Sequence, residues 1–380
     1  MRRTYLLLAL FLLLAGLTAT AQQPPKPVAR RLNVGVSLPW SRPDTSTVAF
    51  NLGLLSNLGS LHGCSLNALS GVVAGDVRGL QVAGLLSVAG RSQAGLQVAG
   101  LINDAGRSGS GAQVAALVNA ARTYRGVQLS LLSNVSVRQS GLQLSAVNNL
   151  CCERLHGLQL TGVANVAVGV DGGSQIAALV NVTQGTHRGL QFAAANYAGS
   201  LSGLQLGGVN VTGSLKGWQI GLVNHTEHPS KHKIGLVNTD SLTRLQYFVF
   251  GGNTAKFGGG VRFLNRLFYT QVGVGTQWLG LDEKFSGCLF YRRGALIPLT
   301  SRLSLPLDIG YAHIETFVDD RPDHPERLYG LQARAGLEWT VTPLLRLQAM
   351  TGYGLTRPYG HDYTYERKAL FEVCLYFEGR

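Results

Sequence analysis

Gly95-Leu96-Gln97-Val98-Ala99-Gly100-Leu101-Ile102-Asn103 decides the fold of half the chain, because it recurs. Gly157-Leu158-Gln159-Leu160-Thr161-Gly162-Val163-Ala164-Asn165 repeats it, and so does Gly217-Trp218-Gln219-Ile220-Gly221-Leu222-Val223-Asn224. Aligned on this unit, one column reads Gln81, Gln97, Gln113, Gln128, Gln143, Gln159, Gln175, Gln191, Gln205 and Gln219. Asn51 and Ser65 precede it in register, and Lys233 follows it. A second column reads Asn103, Asn119, Asn134, Asn149, Asn165, Asn181, Asn196, Asn210, Asn224 and Asn238. The interval is roughly 14–16 residues and shortens after Gln191. A short unit repeated about thirteen times is a building plan rather than a catalytic one.

The first half of each unit is a short strand of Leu, Val, Ala and Gly; a weaker strand follows the Asn, as in Asn210-Val211-Thr212. Two strands and two turns in about 16 residues match one coil of a narrow parallel β-roll. In a meandering barrel alternate strands would run in opposite directions, so successive Gln and Asn would fall at opposite ends. A solenoid puts every copy in an equivalent place. Coils stacked at about 4.8 Å then bring Gln above Gln and Asn above Asn as amide ladders. Thirteen such coils span roughly 60 Å. Ala and Gly beside the Gln column let two thin sheets approach closely.

The series resembles the GLQ-x-x-G-L-x-N repeats of a bacterial cell-surface repeat family found in spirochaetes and Bacteroidota. The likeness covers about residues 32–240, and Leu32 to Trp40 is similar to the strand that often precedes such repeats. It implies an exported or cell-surface protein and brings no catalytic residues with it.

From about residue 245 the period changes to two. Leu303, Leu305, Leu307, Ile309 and Tyr311 alternate with Ser304, Pro306, Asp308 and Gly310. Leu331, Ala333, Ala335, Leu337 and Trp339 alternate with Gln332, Arg334, Gly336 and Glu338, and Phe371 to Phe377 repeats the pattern. Eight strands are expected, at 245–251, 255–264, 267–279, 286–298, 302–314, 328–340, 343–356 and 368–378. The links at Asn265, Thr300 and Thr342 are very short, whereas 280–285, 315–327 and 357–367 are longer and polar. Short turns alternating with long loops, with one apolar face and one charged face, mark an outer-membrane barrel. Trp278, Trp339, Tyr353 and Phe377 are its candidate interface aromatics. Eight strands leave an interior filled by side chains, where Arg262, Arg334, Arg346, Glu338 and Glu372 are expected to pair. The region resembles small bacterial outer-membrane barrels; a lipid-free β-sandwich or a cap on the roll is the alternative.

The expected organisation is a signal peptide at 1–21, a Pro-containing tether and cap strand at 22–48, a β-solenoid at 49–242 and an antiparallel barrel at 245–380. Arg2 and Arg3, the apolar run Tyr5 to Leu17 and Ala19-Thr20-Ala21 carry the export reading. The net charge is +13, much of it from turn residues such as Arg91, Arg107, Arg122, Arg138, Arg154 and Arg188. That column reads as a solvated edge, or as a contact for lipopolysaccharide, peptidoglycan or another cell-surface ligand. Aromatics are not interleaved with it, so no nucleic-acid partner is expected. Among five cysteines, Cys151 and Cys152 read as an inter-repeat turn, and a Cys288–Cys374 disulfide is open.

Catalytic signatures are missing: the chain has no Walker loop, zincin helix or Gly-x-Ser-x-Gly elbow. His225, His228 and His232 form the only weak metal candidate. Asp319 to Arg327, with His324, and His361 to Glu366 are polar segments able to serve as receptor or active-site loops. The sequons at Asn134, Asn181, Asn210 and Asn224 already belong to the ladder. No cofactor and no catalysis are expected. The reading is an exported outer-membrane or cell-surface structural or interaction protein in contact with outer-membrane lipid. A barrel enzyme or transport-associated protein using its loops and a soluble secreted repeat protein are the alternatives.

Overall fold

The computed structural model describes residues 29–36, 46–278, 286–316, 327–359 and 366–379. The chain is all-β: a parallel β-solenoid of about 12 turns, then a closed eight-stranded antiparallel β-barrel, without helices among the described residues. Two compact units divide it, Met1–Gly217 and Trp218–Arg380. The division falls inside the repeats, so the coil Trp218–Thr239 belongs with the barrel. The expected signal peptide and most of the expected tether lie outside the described residues.

In the first unit every strand pairs in parallel with its equivalent one coil away. Gln97 lies opposite Gln113, and Asn103 opposite Asn119. The expected pair of turns per coil becomes one turn and one bend. Strand Ile102–Ala115 starts just before Asn103, slips register between Ala105 and Ser108, and reaches Gln113 before an apex turn at 116–117. The bend needs no turn because the Gly-apolar-Gln glycines from Gly79 to Gly203 take a positive φ, as at Gly126 (φ +131°). A Cβ there would stand 2.1 Å from the carbonyl oxygen of Gly111 in the preceding coil. Only glycine adopts this backbone without strain.

The bend also relocates two cysteines. Cys151 and Cys152 lie in strand Asn148–Thr161 rather than in a turn. Cys151 is buried against Leu155, Ala167 and Val170.

The barrel strands are β1 (Thr243–Gly252), β2 (Ala255–Asn265), β3 (Phe268–Trp278), β4 (Ser286–Pro298), β5 (Leu303–Thr316), β6 (Arg327–Thr342), β7 (Leu345–Pro358) and β8 (Glu366–Glu378). Closure comes from β1 against β8, with Phe248 opposite Tyr376. The links 266–267, 299–302 and 343–344 share one end with the chain's entry and exit. The links 253–254, 279–285, 317–326 and 359–365 share the other. Glycines make room for lumen rings: a Cβ on Gly258 would fall 2.3 Å from the Phe250 ring. Cys288 and Cys374 are free thiols in one buried cluster, not a disulfide. They sit on β4 and β8, four strands apart around the closed barrel.

Candidate membrane interface and buried polar columns

Strand parity sets the barrel's two faces. Val274, Leu289, Ile309, Leu331, Leu337 and Val373 point outward and are exposed, Ile309 at 69%. Trp339 and Phe377, near the short-turn end, and Tyr353 higher on β7 are exposed on the same surface. Tyr247, opposite Phe377, joins them. The strand position of Trp278 is described; its side chain is not.

The charges point in. Arg292 grips Glu372 with two bonds, 2.9 and 2.8 Å, and Arg334 reaches the same carboxylate at 2.7 Å. Arg334 also clamps Asp308 at 2.9 and 2.8 Å, where the Tyr269 hydroxyl donates at 2.8 Å. Arg262 donates to Glu338 at 2.6 Å and to Gln246 at 2.6 Å, and lies 3.7 Å over the Tyr376 ring. Arg346 holds the other Glu338 oxygen at 3.2 Å. The five charged residues singled out from sequence therefore converge. Arg292 and Asp308 were not singled out, although their inward parity marks them. Each pair compensates the desolvation of its partners. They share the lumen with the buried rings of Phe248, Phe250 and Phe290.

In the solenoid the amides stack. Gln97 donates to Gln81 at 3.2 Å, and Gln113, Gln128, Gln143, Gln159, Gln175, Gln191 and Gln205 each donate to the preceding Gln at 2.7–2.9 Å. Asn103, Asn119, Asn134, Asn149, Asn165, Asn181 and Asn196 each donate to the following Asn, ending on Asn210, at 2.9–3.0 Å. Each Asn also meets a main-chain carbonyl, as Asn103 does Val114 at 2.7 Å. Both columns are buried, including the sequon residues Asn134, Asn181, Asn210 and Asn224.

In the barrel's own unit, Asn224 donates to Asn238 at 2.9 Å, while Lys233 takes the place of a glutamine opposite Gln219. Its ammonium is buried and pairs with Asp240 at 2.7 Å, ending the Gln column in a charge pair. This coil lies on the barrel wall. Tyr291 donates to the Gly235 carbonyl at 2.9 Å, and Arg293 to the Lys233 carbonyl at 3.1 Å. No residue pattern in the sequence announced these two contacts.

The three candidate metal histidines do not converge. His225 sits in strand Trp218–Thr226 and meets the Thr239 hydroxyl at 2.9 Å. His232 stacks near Trp218, with ring centroids 4.9 Å apart. No cluster of metal-ligating side chains occurs among the described residues. Of the candidate loop segments, 319–326 and 361–365 lie outside the described residues; Arg327 opens β6 and pairs with Glu315 at 3.0 Å. The basic column is solvent-exposed, with Arg91, Arg138, Arg154 and Arg188 paired to Asp76, Glu153, Asp171 and Asp171.

No family model and no curated protein matches the chain. Among solved structures, the N-terminal β-barrel domain of Pseudomonas aeruginosa OprF is similar over 36% of this chain and 96% of its own, at 12% identity and TM-score 0.28. Neisserial surface protein A matches over 36% and 96%, at 12% identity and TM-score 0.26. A de novo designed transmembrane β-barrel matches over 36% and 95%, at 17% identity and TM-score 0.25.

Proposed function

We propose that the chain is an outer-membrane protein with a structural or interaction role, its barrel seated in the bilayer and its repeats serving as an envelope contact element without catalysis. One observation carries the reading: the barrel is inverted, with charged residues paired in its lumen and an apolar surface outside. A sandwich in water favours the reverse arrangement; a transmembrane barrel requires this one. The aromatic residues Trp339, Tyr247 and Phe377 near one rim fit a membrane–water girdle. The short-turn end, where the chain enters and leaves, corresponds to the periplasmic end of bacterial barrels. Outer-membrane lipid is the partner this surface addresses. The exposed arginine column offers contact to lipopolysaccharide, peptidoglycan or a cell-surface ligand. Residues 1–21 serve as the export signal.

The test is fractionation of intact cells with protease shaving, followed by gel migration with and without heating. The expected result is an outer-membrane protein whose unheated form migrates faster. Soluble protein with heat-insensitive migration would overturn the membrane reading.

A further inference from the structure

The solenoid is also inverted, but in only one of its halves. Each coil has an apical half, running from the residue before Gln through the apex turn to the residue after Asn, and a basal half around the bend. The apical interior is the two amide columns. Its exterior is apolar: Leu85, Leu101, Leu117, Leu131 and Leu179 at the apex are between 40% and 66% exposed. From Cys64 to Val211 the apical segments hold one charged residue, Asp104. The basal half is the reverse. Leu61, Val77, Tyr124, Leu155 and Val170 fill its interior, while Asp76, Arg91, Arg138, Glu153 and Arg188 ride outside. An apolar ridge of this length exceeds the scattered exposed leucines of a soluble protein. Amides that satisfy one another inside an apolar shell meet the requirement lipid imposes on polar groups.

A second observation comes from the barrel's own unit. Thr270, Tyr291 and Arg293 share the outward parity of Val274 and Leu289. Asn238 donates to Thr270 at 3.4 Å, Tyr291 meets Gly235 and Arg293 meets Lys233. One coil of the repeat type thus sits against the outside of the wall, on the face that meets lipid, toward the short-turn end. Its own apical residues Leu222 and Leu236 remain exposed.

We infer that the apical half of the solenoid is immersed in a phospholipid leaflet, with the basal arginine edge at the headgroups. The inference rests on the membrane reading above. The occupant is lipid because the apolar apical half backs onto a basal edge rich in arginine, so that acyl chains cover the leucines while anionic headgroups meet the cations. Apolar and basic faces on opposite sides are the arrangement of an interfacial element.

The experiment uses the full-length protein with Cys64→Ser and Cys152→Ser, reconstituted in phosphatidylethanolamine and phosphatidylglycerol vesicles. A fluorophore is attached at Leu117→Cys, Arg138→Cys or Leu337→Cys, and each variant is first checked for heat-dependent migration. Quenchers are iodide in water and spin-labelled acyl chains. Expected is lipid quenching severalfold stronger at 117 than at 138, with iodide in the opposite order. Iodide access at 117 equal to that at 138 overturns the inference. So does protection of 117 from both quenchers, which would mean a protein cover such as a second copy. Position 337, outside on β6, reports separately: lipid quenching there with none at 117 sinks only the wedge, and its absence sinks the membrane barrel itself.

Discussion

Gln113 and Asn119 belong to one coil, yet their amides pass hydrogen in opposite directions. Gln113 donates back to Gln97 at 2.8 Å, whereas Asn119 donates forward to Asn134 at 2.9 Å. The Asn119 side-chain amide also donates to the main-chain carbonyl of Gln113 at 3.4 Å. The rungs from Gln81 to Gln205 and from Asn103 to Asn210 keep this sense, so along them two rows of aligned side-chain dipoles run antiparallel through the apical interior and offset each other's field. Hydrogen bonds chained in this way polarise one another.

A break in either row therefore leaves an orphan on each side. Gln128→Ala removes the donor to Gln113 and the acceptor of Gln143. The expected loss is about 1–3 kcal/mol for each buried group left unsatisfied. Gln128→Glu should cost more at neutral pH, since it adds a buried charge and still gives Gln113 no donor. Denaturant midpoints and hydrogen exchange across residues 113–143 read both effects. Wild-type exchange in Gln128→Ala would show that the ladder carries no stability.

The glycines make a sharper contrast. Gly126→Ala places a Cβ 2.1 Å from the Gly111 carbonyl at φ +131°, and the backbone region alone costs about 1–3 kcal/mol. Gly169→Ala meets nothing closer than 3.5 Å at an ordinary φ, so its change should stay within about 0.5 kcal/mol. Equal unfolding midpoints for the two variants would contradict the role assigned to the bend glycines.

Periodicity made the barrel strands legible to within a few residues, because alternation in a closed sheet has one period and two faces. It made the amide columns legible because coils are equivalent. What it could not carry was sidedness. Leu101 and Leu155 look alike in the string, but one is exposed at the apex and the other buried in the basal interior. The bulges decide which, and a bulge leaves only a glycine as its trace. The Tyr291 and Arg293 contacts to the last coil were silent for another reason: they end on main-chain carbonyls, which no side-chain pattern encodes. The spacing of the histidines likewise gave no sign that His225 meets the Thr239 hydroxyl one coil on.

Glu372 is the hub of the lumen, and its loss should be costly. Glu372→Ala strands Arg292 and Arg334, both buried, without the carboxylate they share. Removing one partner of a buried pair typically costs about 3–5 kcal/mol. The temperature at which the fast-migrating form disappears should fall accordingly. The exposed pair Arg138–Glu153, at 2.9 Å, is the control, with Arg138→Ala expected to leave stability essentially unchanged because solvent screens the pair. A Glu372→Ala barrel as heat-resistant as the control would show that the lumen charges do not hold the strands together.

His187 gives the solenoid a weakness on the acid side. Burial pushes its imidazole down to about 4, so the folded coil binds fewer protons than the unfolded chain. Its stability is whole above the ordinary histidine value and drains as pH falls toward 4. His187→Gln should therefore flatten the dependence of stability on pH between about 4 and 6.5. Urea midpoints at half-unit pH steps measure this, and a slope in His187→Gln as steep as that of the wild type would refute the assignment.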